Sequence, residues 1–108
     1  MIGKVLKALT EKDCVTLAAC FTENCTYIDY CPSLNGMPSS FIYGSACMEM
    51  YFRMKFMAGE LEVAEPLLES DSRATFFEAY NNGPYVYAGL DIEEDDGGRI
   101  KKAVVHPA

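Results

Sequence analysis

Hydrophobic and polar residues alternate in three runs over residues 74–106, and two turn signals separate the runs. Asn81-Asn82-Gly83-Pro84 and Asp95-Asp96-Gly97-Gly98 supply residues that tolerate positive φ, and aromatic and β-branched side chains flank them. The pattern predicts two consecutive hairpins. With Tyr80 facing Tyr85 and Glu94 facing Arg99, cross-strand partners share a face and chain neighbours alternate. One face then holds Thr75, Phe77, Ala79, Val86, Ala88, Leu90, Ile92, Ala103 and Val105, with Lys101 at its rim, and is almost wholly apolar. The other holds Phe76, Glu78, Tyr80, Tyr85, Tyr87, Asp91, Glu93, Ile100, Lys102, Val104 and His106, with Asp91 opposite Lys102 and His106 opposite Tyr87. A sheet with one dry face and one aromatic, charged face needs helices over the first and fits a partner on the second.

Upstream, the period changes. Ile2, Val5, Leu6 and Leu9 recur at helical spacing, and this short amphipathic helix breaks near Thr10-Glu11-Lys12-Asp13. Asp13 suits the N-cap of a second helix running from Cys14 to about Phe21, with Leu17, Ala18 and Phe21 inward. Cys25 to Tyr30 reads as a strand, and Cys31 to Tyr43, with its prolines, glycine and serines, as a loop. Gly44-Ser45 opens a third helix whose apolar stripe is Cys47, Met50, Tyr51, Met54 and Met57, ending near Ala58-Gly59. Leu61 to Leu68 is a strand kept at or near an edge by Pro66. The chain shows no internal repeat, low-complexity tract or linker, so residues 1–108 make one domain.

Nine Lys and Arg stand against sixteen Asp and Glu, for a net charge of −7, and the basic residues are scattered. That balance argues against a nucleic-acid footprint and against binding to an anionic membrane. No apolar run has the length of a transmembrane helix, and the first residues lack the hydrophobic core of a signal peptide, which points to a soluble, cytoplasmic protein. Cys14, Cys20, Cys25, Cys31 and Cys47 include no Cys-x-x-Cys pair and accompany a single histidine, so they read as reduced thiols rather than disulfides or a metal site. The acidic run Glu93 to Asp96 lacks the ligand spacing of a calcium loop and reads as a solvated hairpin tip.

Four passages carry a family resemblance. Ala8-Leu9-Thr10-Glu11-Lys12-Asp13 leads into Leu17-Ala18-Ala19-Cys20-Phe21; Phe21-Thr22-Glu23-Asn24-Cys25-Thr26-Tyr27-Ile28-Asp29 enters the first strand; Tyr43-Gly44 precedes the third helix; Asp96-Gly97-Gly98-Arg99-Ile100 precedes the last strand. In order and spacing the chain resembles the nuclear transport factor 2-like superfamily, which includes SnoaL-like polyketide cyclases, ketosteroid isomerases and scytalone dehydratases. The resemblance implies an α+β fold, a cone-shaped curved antiparallel sheet packed against three helices, with a pocket between sheet and helices.

It also implies a site. Asp29 stands where the ketosteroid isomerases carry their general base, and strand alternation points Tyr27 and Asp29 the same way. A carboxylate among apolar side chains has a raised pKa and is a better base near neutral pH, suited to abstracting a proton beside a carbonyl without a cofactor or a metal. Tyr27, Tyr43, Tyr51, Met54, Phe77, Val86, Ala88, Leu90 and Ala103 are the expected wall for a hydrophobic small molecule. The isomerases' oxyanion partners are replaced here by Val5 and Leu90, which leaves Tyr27, Tyr43 and Tyr51 as the candidate donors. Two readings stay open: an isomerase, cyclase or dehydratase using Asp29, or a non-catalytic ligand-binding or dimerisation domain in which Asp29 accepts bonds from the Tyr30 to Ser33 turn. His106 reads as a surface or interface residue, and the aromatic outer sheet face as the contact of a homodimer.

Overall fold

Ile2, Val5, Leu6 and Leu9 form the buried side of α1 (Ile2–Glu11) in the computed structural model, which describes residues 1–108. The helix stops at Lys12, whose backbone is left-handed, and Asp13 caps α2 (Cys14–Ala19) by accepting the Thr16 N–H at 3.1 Å. The chain continues through β1 (Phe21–Asp29), a 3-10 turn (Cys31–Asn35), β2 (Ser40–Tyr43), α3 (Ser45–Met57), β3 (Leu61–Leu68), β4 (Arg73–Tyr80), β5 (Tyr85–Asp95) and β6 (Ile100–Pro107). The six strands form one sheet in the order β2-β1-β6-β5-β4-β3. Its pairs are antiparallel except β1 with β6, which run parallel. Three helices cover one face, giving the expected α+β cone with a mixed rather than wholly antiparallel sheet. No helix is long and apolar enough to cross a membrane.

The loop expected over residues 31–43 contains more order than its composition announces. Phe41-Ile42-Tyr43 is a β-prone run, and Ser40–Tyr43 pairs with β1 as an edge strand with Ile42 inward. Gly44 follows at φ 89°, and a Cβ there would lie 3.3 Å from the Glu23 carbonyl oxygen, so glycine is what lets β2 turn into α3 beside β1. On the other edge, Pro66 sits in a bulge where the β3–β4 register shifts and Glu65 adopts positive φ.

Helix α3 faces the opposite way from its expected stripe. Met48, Phe52 and Phe56 are buried, whereas Met50, Met54, Met57 and Cys47 are exposed. Apolar residues line both sides of this helix, and the aromatic side wins because Phe52 meets Tyr27 edge-on at 5.4 Å.

The hairpin registers also differ from expectation, with unequal consequences. In β5–β6 the shift is by two residues, Leu90 facing Val105 and Ile92 facing Ala103, so these side chains keep their dry face. A bulge beyond Ile92 brings Ile100 inward as well. In β4–β5 the shift is by one residue: Ala79 faces Tyr85, Phe76 faces Ala88 and Glu78 faces Val86. One residue turns a whole strand over, so Phe76, Glu78 and Tyr80 point into the cone while Phe77 points out. The cause is at the turn. Asn81 N–H donates to the Glu60 carbonyl, holding the end of β4 to β3, and Gly83 N–H turns back to Tyr80 O while Asn81 and Asn82 both take positive φ.

Candidate functional site

Asp29 ends β1 on the inner face beside Tyr27 and is only 5% exposed. Because the chain turns there into the 3-10 segment, Asp29 Oδ1 accepts the Cys31 N–H at 2.9 Å. Its Oδ2 lies 2.6 Å from Tyr80 Oη, and the same phenol lies 2.5 Å from Glu78 Oε2. Glu78 and Tyr80 come from β4, which β6 and β5 separate from β1 in the sheet, so the curl of the sheet closes this triad.

Neither carboxyl has a cationic partner among the ion pairs of the protein. A phenol has one proton and cannot donate to two carboxylates, so one of the acids carries a proton of its own. Burial pushes the Glu78 carboxyl well above the usual range, and the Asp29 charge adds to this. Burial raises Asp29 too, but the bonds from Tyr80 and the Cys31 backbone work the other way. Glu78 is therefore the neutral acid and Asp29 the carboxylate. The hydrogen bonds then run in one direction, Glu78 donating to the Tyr80 oxygen and Tyr80 donating to Asp29. Burial and the two acids push the Tyr80 hydroxyl far up, so it stays a phenol, and the same causes keep Cys31 a thiol. Asp29, Cys31 and Glu78 are the donors nearest to a metal set, within 4.8 Å of one another, but the Tyr80 hydroxyl already bridges the two carboxyls.

A cavity of about 280 Å³ opens at the mouth of the cone, lined by Pro32 and the segment Met37 to Ser40, by Tyr51 and Lys55 of α3, and by Glu60, Tyr80 and Asn81. Asp29 does not line it; Tyr80 does, and so connects the cavity with the buried acids. Tyr51 forms part of the wall with its hydroxyl 3.0 Å from Ser40 Oγ. Tyr27, Val86, Ala88, Leu90 and Ala103 are buried on the inner face, where they pack the cone. Three expected wall residues lie outside it: Tyr43 and Met54 are exposed, and Phe77 stacks on Tyr87 at 4.9 Å on the outer face. The residues the sequence reading placed outside, Glu78 and Tyr80, are the ones that meet Asp29. A glutamate inside the apolar run Ala74 to Tyr80 was the available signal, since both faces of that run are hydrophobic enough to be buried.

On the outer face Asp91 pairs not with Lys102 but with Arg73 Nη1 at 2.7 Å and His106 Nε2 at 2.5 Å, while Lys102 reaches Glu93 at 3.3 Å. His106 sits opposite Gly89, where a Cβ would lie 3.1 Å from the imidazole and 2.9 Å from the Arg73 guanidinium. Both ring nitrogens of His106 face acceptors, Asp91 Oδ2 and, at 3.0 Å, Pro107 O. That arrangement favours the imidazolium, and the Asp91 bond raises the His106 pKa. Burial works to raise Asp91, but the bonds from His106 and Arg73 outweigh it and hold the carboxyl below its ordinary value.

No family model matches the sequence, and no curated protein matches it. Solved structures do match in shape. A Catenulispora acidiphila protein with a ketosteroid isomerase-like fold, in complex with trimethylamine, aligns with a TM-score of 0.67 at 11% identity over 99% of this chain and 84% of its own. The chain has the nuclear transport factor 2-like fold. A SnoaL-like protein of unknown function from Burkholderia thailandensis aligns with a TM-score of 0.59 at 15% identity, covering 98% of this chain and 89% of that one. A nuclear transport factor 2-like protein of unknown function from Cytophaga hutchinsonii gives 0.61 at 16% identity, covering 99% and 86%. At such identities the likeness is one of fold, and function has to be argued from the site.

Proposed function

We propose that this nuclear transport factor 2-like domain is a cytoplasmic, cofactor-free enzyme that moves a proton beside the carbonyl of a small molecule, as an isomerase, cyclase or dehydratase does. The observation that carries this reading is the Tyr80 hydroxyl, held between a neutral acid and a carboxylate on a residue that also lines the mouth cavity. A ligand carbonyl entering the cavity takes over the phenol's hydrogen bond. The next step needs the Tyr80 side chain, which stands between the cavity and Asp29, to swing aside. Asp29 Oδ2, then open to the ligand and kept in an apolar setting that raises its pKa, accepts the proton from the adjacent carbon. The enolate oxygen is held by the Tyr80 O–H, itself backed by the protonated Glu78, which is the electrostatic element missing from the sequence reading. Protonated Asp29 then returns the proton to the same or a different carbon. The trimethylamine complex of the Catenulispora protein supports small-molecule binding by this fold, and five unpaired cysteines fit a reducing compartment.

Deuterium wash-in beside the carbonyl of a panel of small ketones, followed by NMR, tests the mechanism. Wild type is expected to accelerate exchange of at least one ketone over buffer, Asp29→Asn to remove the acceleration, and Tyr80→Phe to reduce it by about 100-fold, the size typical of losing one oxyanion donor. Binding without exchange would favour the second reading, a non-catalytic ligand-binding domain. That reading draws on Asp29 having a hydrogen bond at each oxygen and no cavity reaching it directly.

We also propose a homodimer through the outer sheet face, on a corrected set of residues. Phe76, Tyr80 and Ile100 are inside the cone, but Phe41, Tyr43, Tyr85 and Tyr87 remain exposed on the outer side. Between them Arg73 and the His106 imidazolium are matched by Asp91 and by Glu69, which pairs with Arg73, so the charges around Gly89 balance and a repulsive centre is removed from a self-complementary contact. Sedimentation at micromolar concentration should show a dimer that Tyr87→Glu dissociates. A monomeric wild type, or a dimer indifferent to the change, would reject this interface.

A further inference from the structure

Lys55 is the only cation among the residues that line the mouth cavity. It is placed from two sides. Its Nζ lies 5.7 Å over the centre of the Tyr51 ring, and 3.4 Å from Glu60 Oε2, with a third of the side chain exposed. The Glu60 contact is a single long bond between two solvated groups, of the kind that adds little to stability and is readily exchanged. The Tyr51 contact has a different consequence. With the ammonium already over it, that ring face is closed to a cationic ligand, while the Tyr51 hydroxyl is tied to Ser40 in the wall. The cavity therefore has a fixed positive group on the α3 side and, where β4 ends, Tyr80 backed by two acids.

The two ends ask for different groups on one molecule. Tyr80 offers a hydrogen-bond donor to a neutral oxygen, and an anion placed there would meet the Asp29 charge directly. Lys55 offers a charge-assisted donor suited to a carboxylate. The cavity, at about 280 Å³, lies at the small end of ligand pockets, which limits the molecule to a short one. Resting on the reading of this cavity as the ligand site, we infer that the ligand is a short oxo acid, its carbonyl at Tyr80 and its carboxylate on Lys55 in place of Glu60. The net charge of −7 opposes such an anion at a distance, so the preference has to be made locally, by Lys55.

The test uses 4-oxopentanoate and its methyl ester, which share the carbonyl and differ in the charge. In a low-salt NMR titration of the wild type, the acid is expected to bind at least about tenfold more tightly than the ester, shifting amides around Tyr51, Lys55 and Tyr80. Lys55→Met should bring the acid down to the affinity of the ester. Arg53→Met removes the same charge from an exposed position of α3 that does not line the cavity, and should keep the preference. Thermal melts confirm that both variants are folded. Equal binding of the two probes, a preference for the ester, or a preference that survives Lys55→Met would overturn the inference and leave the cavity as a ligand site. Loss of the preference in both variants alike would overturn it as well, since the effect would then be one of overall charge. Failure of both probes to bind would overturn the cavity reading together with the inference.

Discussion

Replacing Glu78 by Gln is expected to make the protein more stable than the wild type at pH 8 and no more stable at pH 4. Glu78 is 1% exposed, next to the Asp29 carboxylate, and its folded-state pKa lies well above the ordinary value. As pH rises past about 4.3, the ordinary value for glutamate, the unfolded chain loses this proton while the folded chain keeps it. Ionisation then favours the unfolded state. The contribution of a group with a raised folded pKa is complete below the unfolded value and declines as pH rises through to the folded one. Relative to the variant, the wild type should lose about 1.4 kcal/mol for each pH unit across that interval. Gln has the shape of the protonated acid and an N–H to offer the Tyr80 oxygen, so the triad stays bonded while the titration disappears. Urea denaturation at several pH values from 4 to 8 measures the difference. Asp91 and His106 titrate in both proteins and cancel from it. Parallel curves for wild type and variant would mean that Glu78 is ionised in the folded protein, and the direction of the hydrogen bonds in the triad would have to be reassigned.

The same triad marks where the sequence could be read and where it could not. Elements held by local chemistry were legible: the apolar stripe of α1, the Asp13 cap, Pro66 on an edge strand, and the Tyr27/Asp29 alternation that sends both side chains inward. Short-range signals also placed Asp29 in a turn that bonds its carboxylate, since Cys31 is only two residues away. Register was not legible to one residue. It depends on which neighbour holds the end of β4, and the Asn81 to Glu60 bond that decides this joins segments with no shared sequence pattern. Orientation of α3 failed for a related reason, because Met50, Met54 and Met57 are as apolar as Met48, Phe52 and Phe56, and only packing against Tyr27 distinguishes the two sides. Glu78 and Tyr80 were thus missed through geometry, not through residue type. Once β4 is turned over, Asp29, which the sequence alone leaves without a donor, has Tyr80 and a neutral Glu78 beside it.

The register of β4 can be tested by a pair of substitutions on adjacent residues. Phe76→Glu is expected to unfold the domain or cost it about 4 kcal/mol or more, because Phe76 is fully buried opposite Ala88 and the change both removes a core aromatic ring and buries an unpaired charge. Phe77→Glu should cost about 1–2 kcal/mol. Phe77 is half-buried on the outer face, where its main loss is the stacking contact with Tyr87, and the new carboxylate can reach water. Against a domain stability of about 5–15 kcal/mol, the first change is close to the whole margin and the second is not. Denaturation midpoints with far-ultraviolet circular dichroism measure both. The comparison does not depend on the identity of any ligand. If Phe77→Glu proved the more damaging, β4 would be one residue out of register, Glu78 and Tyr80 would return to the outer face, and Asp29 would lose the two partners on which the proton-transfer reading rests.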